Sequence, residues 1–83
     1  MPYERLRYAR KKAVGSKETL KVVERGHAKV VFVAVNAERR VIEPVIRACL
    51  ARGTPVEEVT SMRELGRACG ITVNCASAAV IED

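Results

Sequence analysis

The segment "KVVFVAV", residues 29–35, decides the fold. Val30 to Val35 is the longest unbroken apolar run in the chain, and four of the seven residues are valines. A strand with one wet face would alternate apolar and polar side chains, and this one has no polar face to offer. It has to be covered on both sides, as in a sheet sandwiched between helices. Six apolar residues are also far short of a membrane span.

Helical patterns flank this strand. Upstream, Ser16 is expected to cap a helix running to Arg25, with Gly26 as its stop and Leu20 and Val23 as its core stripe. "YERLRYARK" (3–11) reads as a short amphipathic helix with Tyr3, Leu6 and Arg10 on one side, and "KAVG" follows as extended chain. Downstream, Asn36 to Arg40 reads as a loop. Pro44 suits the first turn of a helix, so the next helix is expected from about Glu43 to Gly53, with Val45/Cys49 and Ile46/Leu50 as core pairs. "PVEEV" (55–59) is a short strand. In "SMRE" (61–64) Ser61 and Glu64 form a capping box, opening a helix that runs to about Cys69 and stops at Gly70. "ITVNCAS" is an apolar loop and "AAVIE" (78–82) a last strand. Helices alternating with strands give the α/β class, with helices on both faces of a small sheet and a single domain over residues 1–83.

The net charge is +5, and its placement is uneven. Residues 1–29 hold nine basic side chains against three acidic ones, whereas residues 30–83 hold six basic and seven acidic. An excess confined to the N-terminal third suggests a surface facing a polyanion; a solvated basic face with no partner is the alternative. Cys49, Cys69 and Cys75 lack metal-ligand spacing and are odd in number, so neither a zinc site nor a disulfide framework is expected. They read as small buried hydrophobes. No secretory signal is visible, which points to the cytoplasm. No phosphate loop, nucleophile elbow or acid–base constellation occurs, so neither catalysis nor a cofactor is expected.

Two features ask for a ligand. Lys17, Glu18 and Lys21 cluster on a helix face away from the core stripe. Two lysines four apart cost an isolated helix roughly 0.2–0.5 kcal/mol, and a bare anion site would reject the glutamate. A guanine would use all three: its N1–H and N2–H₂ donate to a carboxylate while O6 and N7 accept from a lysine. An ordinary solvated helix face is the other reading. The second feature is "GITVNCASA" (70–78), apolar where a polar turn is expected. Either Ile71 and Val73 plug into the core, or the loop presents an apolar surface to an unstacked base.

Taken together, "VGSKETLKVVERGHAKVVFVAVNA" and "SMRELGRACGITVNCASAAVIE" resemble the two signatures of the kink-turn-binding ribosomal protein superfamily. That superfamily takes in archaeal ribosomal protein L-seven-Ae, eukaryotic ribosomal protein L-thirty-e and small bacterial relatives. The resemblance covers residues 14–82. It implies a three-layer α/β/α sandwich around a small mixed sheet that binds kink-turns, sharp RNA bends built on tandem sheared G·A pairs. It further implies that Gly15, Ser16, Lys17, Glu18 and Lys21 enter the opened major groove. Ile71, Thr72, Val73, Asn74 and Cys75 would then pack on a flipped-out nucleotide. Two positions depart from the pattern: Lys17 stands where archaeal members usually have Asn, and Thr72 where many carry an acid. Arg25, with Arg5, Arg10, Lys11 and Lys12, is a candidate for phosphate contacts. The expected partner is structured RNA, a kink-turn in ribosomal RNA or an mRNA leader, bound by a monomer that can associate with ribosomes and not with membranes. A protein–protein interaction module on the same fold is the alternative.

Overall fold

Every residue of Val30–Ala34 is buried. In the computed structural model, which describes residues 2–83, this segment is one of four strands in a mixed sheet. The elements run α1 (Pro2–Arg7), β1 (Lys11–Val14), α2 (Ser16–Glu24), β2 (Val30–Ala34), α3 (Arg39–Arg52), β3 (Val56–Val59), α4 (Met62–Ala68) and β4 (Ser77–Glu82). The strand order is β1-β4-β2-β3, with β2 parallel to β3 and antiparallel to β4, and β1 antiparallel to β4.

The two-residue period of a strand divides the core into two layers. Val30, Phe32 and Ala34 face Leu6 of α1 and Leu65 and Ala68 of α4. Val31 and Val33 face Val23 of α2 and Ile42, Val45 and Cys49 of α3. β2 is thus covered on both faces, as its sequence requires, and the result is an α/β/α sandwich. Phe32 is the largest fully buried side chain, and truncating it to Ala would cost about 3–5 kcal/mol.

Several boundaries differ from the sequence reading, each for a physical reason. α1 ends at Arg7 because Lys11 and Lys12 are drawn into β1, paired with Glu82 and Val80; Arg10 is exposed and leaves the face made by Tyr3 and Leu6. Ser16 is the first residue of α2 and not its cap. Gly15 takes the cap position, and the Ser16 hydroxyl turns to Ser77 instead. α3 begins at Arg39, so Pro44 lies inside the helix. Proline leaves the Arg40 carbonyl without its helical donor, and that is tolerable because Arg40 and Pro44 both face solvent. Ile42, Val45 and Cys49 form the buried stripe of α3; Leu50 lies off it and is 77% exposed, so the Ile46/Leu50 core pair does not exist. In α2, Thr19 joins Val23 in the buried stripe while Leu20 is only half-buried. Among the described residues no helix is long and apolar enough to cross a membrane.

Candidate nucleic-acid interface

Strand direction brings separate parts of the chain to one end of the sheet. Val14 pairs with Ala78, Val33 with Ser77 and Ala34 with Val59. β1, β2 and β3 therefore finish where β4 begins, and α2, α3 and α4 all start there. A helix start carries unsatisfied backbone N–H groups and a partial positive charge. Convergence of these starts makes this end of the molecule attractive to anions before any side chain is counted.

The start of α2 is left open. Gly15 has φ 94° and ψ 153°, a region that only glycine occupies without strain, and a Cβ there would meet nothing within 4 Å. Its N–H donates to the Ser77 carbonyl at 2.9 Å, and its own carbonyl accepts from Thr19. Among the described residues no side chain caps the helix, so its first-turn N–H groups are left without a side-chain acceptor. Lys17, Glu18 and Lys21 stand beside them, all exposed. The Lys21 ammonium lies 3.6 Å from the Glu18 carboxylate. That contact relieves part of the repulsion between the lysines. Lys17 has no ion-pair partner among the described residues.

The second part is the loop from Gly70 to Ala76, which is held tightly from beneath. The Ile71 N–H donates to the Gly66 carbonyl and the Cys75 N–H to the Met62 carbonyl, both at 3.0 Å. A Cβ on Gly66 would collide with the Val73 carbonyl, so only glycine in α4 lets the loop settle this closely. Ile71 packs against the core on the α1/α4 side, whereas Val73 is 66% exposed. Ile71 thus takes the core role, and Val73 leaves an apolar side chain exposed on the loop. Thr72 and Asn74 are exposed beside Val73. Below them the buried Cys75 thiol donates to the Ser77 carbonyl at 3.0 Å, and the hydrogen bond to Cys75 together with burial pushes the Cys69 thiol well up.

Ser77 joins the two parts. Its hydroxyl lies 2.7 Å from that of Ser16, and its carbonyl takes the Gly15 N–H. Gly15 and Ser16, with Lys17, Glu18 and Lys21 in the turns that follow, are therefore tied to the point where the loop carrying Ile71, Thr72, Val73 and Asn74 enters β4. Arg25 does not join them, since it caps the other end of α2, about 13 Å of helix away. Arg10 and Lys11 also lie toward the far end, where Lys11 pairs with Glu82. Arg5 is held there by Asp83 at 2.8 Å, and the Lys12 ammonium donates to the carbonyls of Leu6 and Arg7. Sequence reasoning missed Asn36, whose side-chain oxygen accepts the Met62 N–H at 2.9 Å and ties the chain after β2 to the start of α4. An Asn in the turn that follows a strand is a signal that could have found it. It also missed Arg39 and Arg40, which the true start of α3 brings to this end, where they pair with Glu43 and Glu38.

The fold is that of a small single-sheet α/β/α sandwich with an uncapped, lysine-flanked helix start and an exposed apolar loop residue. Comparison with known proteins makes it specific: the model of the ribosomal protein L7Ae/L30e/S12e/Gadd45 family matches residues 3–83, and the chain belongs to that family. It is 40% identical to an RNA-binding protein of Geobacillus sp. strain WCH70 over 98% of this chain and 99% of the relative. It is 38% identical to the RNA-binding protein YbxF of Geobacillus stearothermophilus over the same shares. Among solved structures it is similar to the 15.5 kD RNA-binding protein of Giardia lamblia, with a TM-score of 0.83 and 30% identity over 99% of this chain and 72% of that one.

Proposed function

We propose that this chain is a non-enzymatic, monomeric RNA-binding protein of the cytoplasm that recognises kink-turns, in ribosomal RNA or in mRNA leaders. The observation that carries the reading is the Ser16–Ser77 junction, which ties an uncapped helix start to the strand that follows the loop bearing the exposed Val73. In a kink-turn the sheared G·A pairs offer guanine edges in an opened groove, and an unpaired nucleotide lies next to them. Glu18 exchanges Lys21 for the guanine N1–H and N2–H₂, and the lysines turn to O6, N7 and nearby phosphate oxygens. The first-turn N–H groups add neutral donors, and the bareness of Gly15 allows the RNA backbone to come close. Val73 offers its methyls to the flipped base. RNA recognition characteristically uses such unstacked, non-helical elements. The family membership and its RNA-binding relatives support the same reading.

The test is a two-by-two titration. Wild type and Glu18→Ala are measured against a kink-turn and against the same RNA with its G·A guanines replaced. Loss of a guanine contact is worth roughly 1–3 kcal/mol, so the variant should lose about tenfold or more on the kink-turn and nothing on the altered RNA. Equal loss on both would mean that the carboxylate does not read guanine.

A further inference from the structure

We propose that Arg63 and Arg67 clamp the RNA phosphate next to the nucleotide that packs on Val73. The inference rests on the kink-turn reading above and extends the contact surface to a part of α4 that neither sequence signature assigns to RNA.

The two arginines stand one turn apart on α4, so their side chains share a face. Together with Ile71, Thr72, Val73 and Asn74 they line an open cleft of about 260 Å³. The cleft thus combines two cationic side chains of α4 with the apolar and neutral polar side chains of the loop. Arg5, Arg39, Arg40 and Arg47 each have a carboxylate partner. Arg63 and Arg67 have none among the described residues. Glu64, the carboxylate between them in sequence, lies on the wall of a neighbouring cleft with Tyr3, Glu4 and Arg7, which Arg67 also borders. Like charges at this spacing repel, and no carboxylate in the cleft relieves them. A bridging phosphate would.

The cleft is also preformed. Gly66 lies between the arginines on α4, and its carbonyl accepts the Ile71 N–H while Cys75 bonds back to Met62. The distance from the arginines to Val73 is therefore set by backbone hydrogen bonds and by the close packing that Gly66 permits. Guanidinium forks match phosphate oxygens bidentately, and Thr72 and Asn74 add neutral donors in the same cleft. A base laid on Val73 would bring its own phosphate within reach of the cleft that Val73 lines.

The experiment uses the full chain and a kink-turn RNA, with and without neutral methylphosphonate linkages flanking the unpaired nucleotide. Arg63→Gln/Arg67→Gln is compared with wild type, and thermal unfolding checks that both are equally folded. On the native RNA the double variant should bind about tenfold more weakly, with a log–log salt slope shallower by about one. Wild type should lose the same factor on the methylphosphonate RNA, and the double variant should lose nothing further there. Wild-type affinity and slope in the double variant would overturn the clamp. So would equal losses by the variant on both RNAs, because the arginines would then act only by general attraction. A wild-type protein that binds plain duplex RNA as well as the kink-turn would instead remove the kink-turn reading, and the clamp with it.

Discussion

The hydroxyls of Ser16 and Ser77 are 2.7 Å apart, although 61 residues separate them in the chain. Ser77 is fully buried and also accepts the Gly15 N–H, so one residue holds the helix start against the strand that follows the loop. Ser77→Ala leaves the half-buried Ser16 hydroxyl without its partner. The expected cost is about 1 kcal/mol of stability, read by chemical denaturation. The kink-turn affinity should fall by more than this stability loss explains, since the folded variant has a looser junction. An unchanged affinity would show that the start of α2 is positioned without Ser77.

Gly66 and Val73 provide a second check on the same geometry. A Cβ at residue 66 meets the Val73 carbonyl well inside van der Waals distance, and backbone cannot swing away as a flexible side chain would. Gly66→Ala should therefore push the loop off α4, at a cost of about 1–3 kcal/mol, and weaken RNA binding. A variant with wild-type melting and affinity would mean that the loop relaxes freely.

Substitutions at Ile71 and Val73 test whether fold and RNA binding separate within three residues. Ile71→Ser removes a half-buried side chain packed on the core and should lower the melting temperature. Val73→Ser alters a side chain that is 66% exposed, so stability should stay within about 0.5 kcal/mol of wild type. RNA affinity should move the other way round, falling with Val73 in the folded protein. Loss of stability on Val73→Ser would return the loop to an ordinary core role.

These residues also show what a sequence can and cannot reveal. β2 is legible because five consecutive buried residues have no alternative arrangement. The Ser61 cap is legible because its partner, the Glu64 N–H at 3.0 Å, lies three residues away. Ser16 was misread as a cap because its partner is distant in the chain, and local rules see only neighbours. Pro44 does not mark the start of α3, because a solvent-facing proline can sit inside the helix while it continues on both sides. Leu50 shows that i,i+4 counting finds apolar pairs without saying which pair faces the sheet. The lysines and the loop were legible as unusual residues, but their meeting at Ser77 depends on strand direction.

Charge placement gives the sharpest case, and the last prediction. The nine basic residues of the first 29 look like one patch in sequence, and the fold separates them. Lys17 and Lys21 stand at the site. Lys11 pairs with Glu82 across the sheet, about 17 Å along β4 from Ser77. Arg25 ends α2 on the far side, and Arg5 and Lys29 both reach Asp83 there. The Debye length is about 10 Å at 0.1 M salt, so exposed charges at that distance act weakly on RNA held at the site. Lys17→Gln/Lys21→Gln should lower kink-turn affinity by about tenfold or more and make the log–log salt slope shallower by about two. The triple variant Arg10→Gln/Lys11→Gln/Arg25→Gln removes more charge, yet should cost less than about threefold and leave the slope nearly unchanged. Titrations of both variants across a salt series decide the matter. If the triple variant loses more than the double, the RNA backbone runs to the far end of the sheet and the contact surface follows the sequence asymmetry after all.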